Sequence, residues 1–575
     1  MMVLNSRVLV RFDGQTFLKP FDRACVPNEL GRHLYNAAPD RMKWSNIDCW
    51  ERRYGGQDLA GKSLCLVRYQ GIGDLLMMTA LVRYLRHTYP TALIHFYTLA
   101  SMYSSNVLYG NPDLDGSCAF PLPVALDAIK QYDYHIFIDG MIEHNAERDQ
   151  SNAYDDLFAF CGLRDVADEW KRPHLRPLPG DWKWVEDSGM DLSRPYVAFQ
   201  TQTSTPIRDY PAEMGAQCVD EMLKRMPGHR VAIMGQVESP AFSRFKGNER
   251  VLWCVGAPNW RYMIPVVYGA DCLVTGDTGM GHVAAAFPHV PVVGLWGAFS
   301  HASRAKYYRN HTPIEHAGVC PHQPCYTHGQ GIPVAKCRAS RAWKEGQTHC
   351  SAMLDIAPAE IADAVARRVI AGKPGHVGMM TVEAFKKAFG WAEASVADKK
   401  YGSDLDRNVI QSLAVWRKPE SVCEVGINEG RQAELILKAL PCVKEYVGVD
   451  VTPDAKLALA GQQAEVPKIP GHMVAGDARL RLIILPRGLF DCKPDELPAA
   501  DFWFIDGDHS DAGVEHDTLK AFLRAPKGAV IVWHDFWNEQ DRNIGVARVL
   551  ERLAPTLPLK IRHVLGSMVA FAVKE

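Results

Sequence analysis

Chemistry-bearing residue types recur in this sequence at one kind of place, a short glycine-rich stretch directly after a run of apolar residues. GDTGMGHVAAA (276–286) lies between the apolar runs DCLVT (271–275) and VPVVGLWG (290–297). Its glycines let backbone approach a ligand where a side chain would clash. A helix opening at Gly281 or His282 would aim its free N–H groups at an anion above the strand end. Asp277, Thr278, Gly279 and His282 are then the candidate ligand contacts. Taken alone, a D-x-G-x-x-H pattern is equally an ordinary strand-to-helix turn.

A second such stretch lies upstream, where SLCLVRY (63–69) runs into QGIGD and Asp74 follows Gly71-Ile72-Gly73. Strand ends are where α/β sheets bind ligands. A carboxylate there could take the proton of a hydroxyl nucleophile, or cap a helix. In QTQTSTPIRDYP, Thr203, Ser204 and Arg208 form a hydroxyl-rich turn with one cation after a strand. Such a turn suits a diphosphate, and it also reads as a polar loop.

A third set begins at VCEVGINEG (422–430), with Glu424, Gly426 and Gly430, and reaches Asp450 about twenty residues on, in EYVGVD. Glycines at a first strand–helix turn plus an acid at the second strand end describe recognition of a nucleotide, with the carboxylate on ribose hydroxyls. The G-x-x-x-G spacing points away from a dinucleotide. Asp477, in GDA, reads as a third strand-end acid suited to an adenine, and IDGDHS (505–510, with Asp506) and VWHDF (532–536) follow at later strand ends.

These residues need strands and helices to hold them. At 575 residues the chain exceeds one hydrophobic core, so two or three domains are expected. Hydrophobic residues at 47% and charged residues at 23% describe a globular protein. A net charge of -2 offers no global attraction to nucleic acid. No apolar run approaches the roughly 20 residues of a membrane span, and MMVLNSRVLVRFDGQ lacks the apolar core of a signal peptide. Fifteen cysteines, scattered singly as at Cys65, Cys161, Cys272 and Cys423, suit buried small hydrophobes in a reducing cytoplasm.

In chain order, residues 1–62 read as an extension without assigned function. Residues 63–190 alternate strand and helix, with an amphipathic helix through Leu75, Leu76, Leu81, Val82 and Leu85 closed by Tyr89-Pro90. After the proline-rich KRPHLRPLPGDW, a second α/β unit spans 191–375 and contains an irregular, Cys- and His-rich stretch at 320–350. KPGHVGMM reads as a linker, and 381–575 as a third α/β unit ending in an antiparallel pair, LKIRHVL and GSMVAFAV. The alternation implies parallel, doubly wound sheets.

Residues 63–370 resemble glycosyltransferase family 9, the ADP-heptose:lipopolysaccharide heptosyltransferases, through GIGDLLMMTALVRYLRHTYP, the NPDLDG turn, TSTPIRDYP and GDTGMGHVAAAFPHVPVVGLWG. The resemblance implies a GT-B fold of two Rossmann-like domains, with Asp74 as base and Thr203, Ser204 and Arg208 on the donor phosphates. It places Asp277, Thr278, Gly279 and His282 around a nucleotide sugar. The family pattern has Lys at the position of Arg208 and Trp at that of Tyr210, departures that open the donor to compounds other than ADP-heptose. Cys320, Cys325, Cys337 and Cys350 have intervals of four, eleven and twelve residues. Four thiolates could hold a structural zinc, but tight C-x₂-C pairs are missing, and free thiols or a redox-labile disulfide are the alternative. Cys-rich loops occur in the family.

Residues 400–575 resemble the class I S-adenosylmethionine-dependent methyltransferases, most closely the group carrying IDGDHS and a later HD. The resemblance implies an S-adenosyl-L-methionine site at Glu424, Gly426, Gly430, Asp450, Asp477 and Asp506. Related O-methyltransferases use strand-end acids on a divalent cation, so Asp506, His534 and Asp535 could converge on one. A mixed Asp/His set suits Mg²⁺ less well than all-oxygen ligands, and hydrogen bonding among these residues is the alternative. Together the resemblances imply a cytoplasmic, bifunctional carbohydrate enzyme that takes a nucleotide sugar donor and a glycan or other hydroxyl acceptor. Two rivals are a glycan-binding scaffold with an inactive transferase half and a nucleic-acid glycosyltransferase. The intact Asp74 and GDTGMGH stand against the first and the net charge against the second.

Overall fold

The computed structural model describes residues 52–575 apart from 70, 100–101, 104–105, 121–123, 126–130, 139–140, 143–149, 205–207, 326–348, 395–402 and 539–543, together with the backbone of five strands before residue 52. The chain separates into two compact units, Met1–Lys373 and Pro374–Glu575.

The first unit opens with β1 (Met2–Ser6), β2 (Val10–Phe12), β3 (Gln15–Leu18), β4 (Arg23–Val26) and β5 (Met42–Ser45). It continues with β6 (Ser63–Val67), α1 (Ile72–Thr88), β7 (Leu93–Leu99), β8 (Gly116–Phe120), β9 (Val124–Ala125), β10 (Tyr134–Phe137) and α2 (Ala153–Phe160). Strands β5-β1-β4-β9 form an antiparallel sheet and β2 pairs with β3, while β10-β6-β7-β8 form a parallel sheet. Helix α1 is buried continuously from Leu75 to Val82, so it has protein on more than one side.

A six-stranded parallel sheet follows, built from β11 (Tyr196–Gln200), β12 (Arg230–Gly235), β13 (Val251–Val255), β14 (Cys272–Thr275), β15 (Val292–Trp296) and β16 (His311–Glu315) in the order β13-β12-β11-β14-β15-β16. Every residue of β14 and β15 is buried. Strands covered on both faces require such unbroken apolar runs. Helices α3 (Ala212–Arg225), α4 (Gly279–Ala286), α5 (His301–Arg304) and α6 (Pro358–Ala371) accompany this sheet.

The second unit contains β17 (Gly378–Met380), α7 (Val382–Phe389), α8 (Asp404–Arg417), β18 (Ser421–Val425), α9 (Arg431–Ala439), β19 (Glu445–Val451), β20 (Leu480–Leu485), β21 (Phe502–Ile505), α10 (Asp511–Arg524), β22 (Val530–Trp533), α11 (Val546–Leu553), β23 (Arg562–Val564) and β24 (Ala570–Val573). One eight-stranded sheet runs β17-β23-β24-β22-β21-β18-β19-β20, with β24 antiparallel to both neighbours. Alternate residues feed opposite faces. Cys423, Val425, Trp503, Ile505, Ile531 and Trp533 enter one core, and Val422, Phe502, Phe504, Val530 and Val532 the other. The KPGHVGMM stretch, read as a linker, supplies the edge strand β17, where Gly378 N–H donates to Ile561 at 2.8 Å. Three residues of edge pairing leave no alternation for a sequence reading to detect. Among the described residues, no helix is long and apolar enough to cross a membrane.

Candidate functional site

In the first unit the chain leaves β6 through Arg68 and turns at Gly71 (φ 89°), the residue that precedes α1. Asp74 lies in the first turn of α1 and makes no cap. Its carboxylate faces Arg68 Nη2 at 3.1 Å, with the acid about one-third exposed (32%) and the guanidinium buried. Arg68 also donates to Ile138 O at 3.3 Å, which fixes the cation beneath the acid.

The second glycine turn meets this one. A Cβ built on Gly73 would come 2.8 Å from His282 Cδ2, and one on Gly279 would come 3.3 Å from Ile72 Cγ2. The absence of a side chain at each glycine lets the other half of the unit approach closely. Helix α4 starts at Gly279, ahead of the Gly281 or His282 expected from sequence, because Thr278 caps it. The Thr278 hydroxyl accepts from Met280 N–H at 3.1 Å and lies 2.9 Å from Thr275 Oγ1, so it helps to hold the turn.

Arg208 donates to Asp277 Oδ2 at 2.8 Å and to Asp277 O at 3.2 Å, and its other terminal nitrogen donates to Ser204 Oγ. Thr203 N–H donates to Asp209 at 2.6 Å, and the Thr203 methyl group packs against Gly276. The phosphate candidates Thr203, Ser204 and Arg208 are thereby brought beside Asp277, Thr278 and Gly279. Burial works against the charge of Asp277, but Arg208 and Arg304 hold its pKa below the usual carboxylate value. Burial also pushes His282 down, against the pull of Asp277 and Asp74, which favours the neutral imidazole. Its Nδ1 lies 2.7 Å from Tyr308 Oη. Tyr210 is buried and donates to Ile356 O at 2.7 Å, which ties its ring into the packing of the unit.

In the second unit, Gly426 (φ 82°) leads out of β18, and a Cβ there would overlap the Asp506 carbonyl. Gly430 (φ 95°) precedes α9. Asp450, in β19, accepts from Asn428 N–H and from Val451 N–H, each at 2.7 Å, which leaves each carboxylate oxygen a further lone pair. Burial and the neighbouring Asp506 raise its pKa, against those two donors.

Two cofactor candidates sit differently from the expectation. Glu424 is 2% exposed, accepts from Tyr446 Oη at 2.7 Å, and is pushed far above the usual carboxylate range by burial. It supports the turn and offers little surface to a ligand. Asp477 precedes β20, beside the start of β19, and is therefore at the opposite end of the sheet from Asp450 and Asp506. There it is ion-paired with Arg479 at 2.6 Å. The strand expected to precede it instead follows it.

Asp506 and Asp535 follow β21 and β22, and the structure gathers two histidines on them. His509 reaches Asp506 at 3.2 Å and Asp535 at 3.3 Å. His534 Nδ1 reaches Asp506 at 3.3 Å and Asp535 at 3.5 Å, with Nε2 toward Asp406 at 3.8 Å. The ligand atoms of Asp506, His509 and Asp535 all lie within 4.8 Å of one another, the one set among the described residues that could hold a metal ion. His509 therefore replaces His534 in the set expected from sequence. Asp535 adopts φ 54°, a left-handed conformation that aspartate tolerates better than most residues. Burial opposes the charge of Asp506, yet His534 and His509 hold it well below the usual range, while both histidines are raised in spite of burial.

Of the four loop cysteines, Cys337 lies outside the described residues. Cys320, Cys325 and Cys350 are unbridged, and burial together with the two neighbouring thiols raises Cys350. Sequence reasoning missed Arg68, Arg304, Tyr308, Asp406 and His509. Arg68 was visible as a charge in an apolar strand, and His509 sits inside IDGDHS, three residues after Asp506. The others come from elements with no motif of their own.

The family model described as glycosyltransferase family 9 (heptosyltransferase) matches residues 183–329, and one described as a methyltransferase domain matches residues 423–536. The chain carries a family 9 glycosyltransferase domain and a methyltransferase domain. ADP-heptose lps heptosyltransferase II of E. coli is similar at 15% identity, over 54% of this chain and 99% of that one, with a TM-score of 0.41. The glycosyl transferase family 9 protein of Veillonella parvula DSM 2008 is similar at 13% identity, over 55% of this chain and 99% of that one, with a TM-score of 0.41. An O-methyltransferase of Bacillus cereus, solved in complex with SAH, is similar at 16% identity, over 31% of this chain and 84% of that one, with a TM-score of 0.23. No curated protein matches the chain.

Proposed function

We propose that the first unit transfers a sugar from a nucleotide-sugar donor to an acceptor hydroxyl, and that the second methylates a hydroxyl of a sugar or related compound with S-adenosyl-L-methionine. The observation that carries the first half is the meeting of the two glycine turns, which sets the open carboxylate of Asp74 opposite Asp277 and His282. In this reading Asp74 takes the acceptor proton as the acceptor oxygen attacks the anomeric carbon. Arg208, Ser204 and the first amides of α4 stabilise the departing diphosphate. Arg208 is held by Asp277 before any ligand arrives, so it is already oriented and little reorganisation is required.

For the second half, Gly426 and Gly430 shape the turn, and the free lone pairs of Asp450 fit two ribose hydroxyls. S-adenosyl-L-methionine, when bound, supplies the electrophilic methyl group. A divalent cation fits the Asp506, His509 and Asp535 donors, and the one nitrogen among them favours a transition metal over Mg²⁺. When bound it would lower the pKa of an acceptor hydroxyl. Asp406 and Asp506 hold His534 between them, which orders that wall of the site.

Thermal stabilisation of the full chain by nucleotide sugars and by S-adenosyl-L-methionine tests the proposal. Each should raise the melting temperature by mass action. No response to any nucleotide sugar removes the first half, and a response to NAD or ATP in place of S-adenosyl-L-methionine removes the second.

A further inference from the structure

Behind His282 lies a buried chain of hydroxyls. Tyr308 Oη is 2.7 Å from His282 Nδ1 and 2.5 Å from Tyr154 Oη. His282, Tyr308 and Tyr154 are 7%, 3% and 0% exposed, so water does not compete for these groups. Successive rings stand edge-on, His282 to Tyr308 at 89° and Tyr308 to Tyr154 at 70°. Tyr154 belongs to α2, and Tyr308 precedes β16 of the six-stranded sheet, so the chain joins the two halves of the unit. Asn152 Nδ2 donating to Ala302 O at 2.7 Å and Tyr307 Oη donating to Asp155 at 2.8 Å close the same seam.

Counting protons fixes the direction of this chain. If Tyr154 donates to Tyr308 and Tyr308 donates to His282 Nδ1, both hydroxyl protons are bonded and Nδ1 is the acceptor. If instead His282 donated from Nδ1, Tyr308 would either donate to Tyr154 or accept from it as well, and in both cases one buried tyrosine proton would have no acceptor among the described residues. Leaving a buried donor unsatisfied is costly. The first arrangement wins. Nδ1 is then unprotonated and the ring proton sits on Nε2, the atom that lies against the Gly71–Asp74 turn, 3.2 Å from a Cβ built on Gly73.

We infer that Tyr308 and Tyr154 are positioning residues that lock His282 in its Nε2–H tautomer, so that the imidazole presents a hydrogen-bond donor to the departing diphosphate of the nucleotide sugar. This rests on the glycosyl-transfer reading above. As the acceptor oxygen bonds to the anomeric carbon, the bond from that carbon to the diphosphate oxygen breaks and its electron pair stays on the oxygen. The acceptor proton goes to Asp74, and the Nε2 proton stays on the imidazole throughout. His282 is therefore a donor and not a second base, which agrees with the downward push that burial gives its pKa. Because Tyr154 and Tyr308 come from different halves, the lock exists only when the halves are together, as they are here.

The test uses the full chain labelled with [¹⁵N]histidine, the His282 ring signals being assigned by their loss in His282→Gln. The expected result is a protonated Nε2 and an unprotonated Nδ1. Tyr308→Phe should mix the tautomers, and Tyr154→Phe should do so to a lesser degree. In sugar transfer, Tyr308→Phe should lower kcat on the order of tenfold, the scale at which a histidine's orienting partner acts, with donor KM nearly unchanged. The same substitution should cost nothing further in the His282→Gln background. A protonated Nδ1 in the parent chain overturns the inference, as do tautomers unmoved by either tyrosine variant or an equal loss in the His282→Gln background. If no nucleotide sugar supports transfer, the glycosyl-transfer reading fails, while the ring signals of the ligand-free chain still decide the lock.

Discussion

In the first unit the acids of the site face guanidinium groups, Asp74 against Arg68 and Asp277 against Arg208. In the second they face imidazoles, Asp506 and Asp535 against His509 and His534. The histidines respond in opposite directions. Burial pushes down His282 and His301, and it drives His311 to about 3 with help from its histidine neighbours. His509 and His534 are raised, because neighbouring carboxylates outweigh burial. Arginine does not lose its proton near neutral pH, so the charges of the first site are fixed and burial favours the neutral form of its histidines. In the second site the carboxylates are held together by imidazoles, whose charge changes with pH.

The largest effect expected from this contrast is at Asp74. Asp74→Asn keeps the shape and the Arg68 contact but removes the base. Sugar transfer should fall by about 10²–10⁴-fold, the range for a general base, with donor affinity and methyl transfer intact. Turnover close to that of the parent chain would show that the fixed charge at Asp74 is structural.

Arg208→Ala comes next. It takes the cation from the phosphate candidates and also strands Asp277, whose side chain is 10% exposed. Donor affinity should fall by about 1.5–3 kcal/mol, and the melting temperature should drop as well, because a buried acid is left without its partner. If calorimetry finds donor binding unchanged, the phosphates lie elsewhere.

Asp450→Ala should weaken S-adenosyl-L-methionine by roughly 1–3 kcal/mol through lost hydrogen bonds, leaving nucleotide-sugar binding alone. Asp477→Ala is the matched control at the far end of the sheet and should not affect cofactor affinity. Equal losses in the two variants would contradict the placement of Asp477.

The smallest effect sharpens the contrast inside the first unit. His316 sits between Asp355 at 2.6 Å and Glu360 at 3.1 Å, and these hydrogen bonds raise its pKa. A raised folded-state value means that the contribution is full below the unfolded value of about 6.5 and disappears as pH climbs through the folded value. His316→Gln should therefore destabilise the chain at about pH 5.5 and not above about pH 8.5. The partners are exposed, so the difference should stay under about 1 kcal/mol. Denaturant titrations of both chains at the two pH values measure it.

Much of the fold is legible because strands buried on both faces leave unbroken apolar runs. DCLVT and VPVVGLWG could hardly be anything else, and the glycines between them mark a turn where backbone must come close to something. Gly73 and Gly279 were visible as glycines, but not that each makes room for the other's half. Asp477 was misplaced because two apolar runs, HMVAG and LRLIIL, flank it, and only pairing with β19 selects the second. In the structure Asp406 completes a capping box with Ser403 at the start of α8, and the same carboxylate faces His534, a double role that only the fold reveals. Tyr154 and Tyr308 are 154 residues apart and meet only because two sheets fold against a common seam. Nothing in either local sequence announces that.

The most direct test of two separate transferase sites is calorimetric titration of the full chain and its Arg208→Ala and Asp450→Ala variants with a panel of nucleotide sugars and with S-adenosyl-L-methionine. The account predicts that the parent chain binds a nucleotide sugar and S-adenosyl-L-methionine together, that Arg208→Ala weakens only the first, and that Asp450→Ala weakens only the second. A parent chain that binds neither ligand, or a single variant that weakens both, would contradict it.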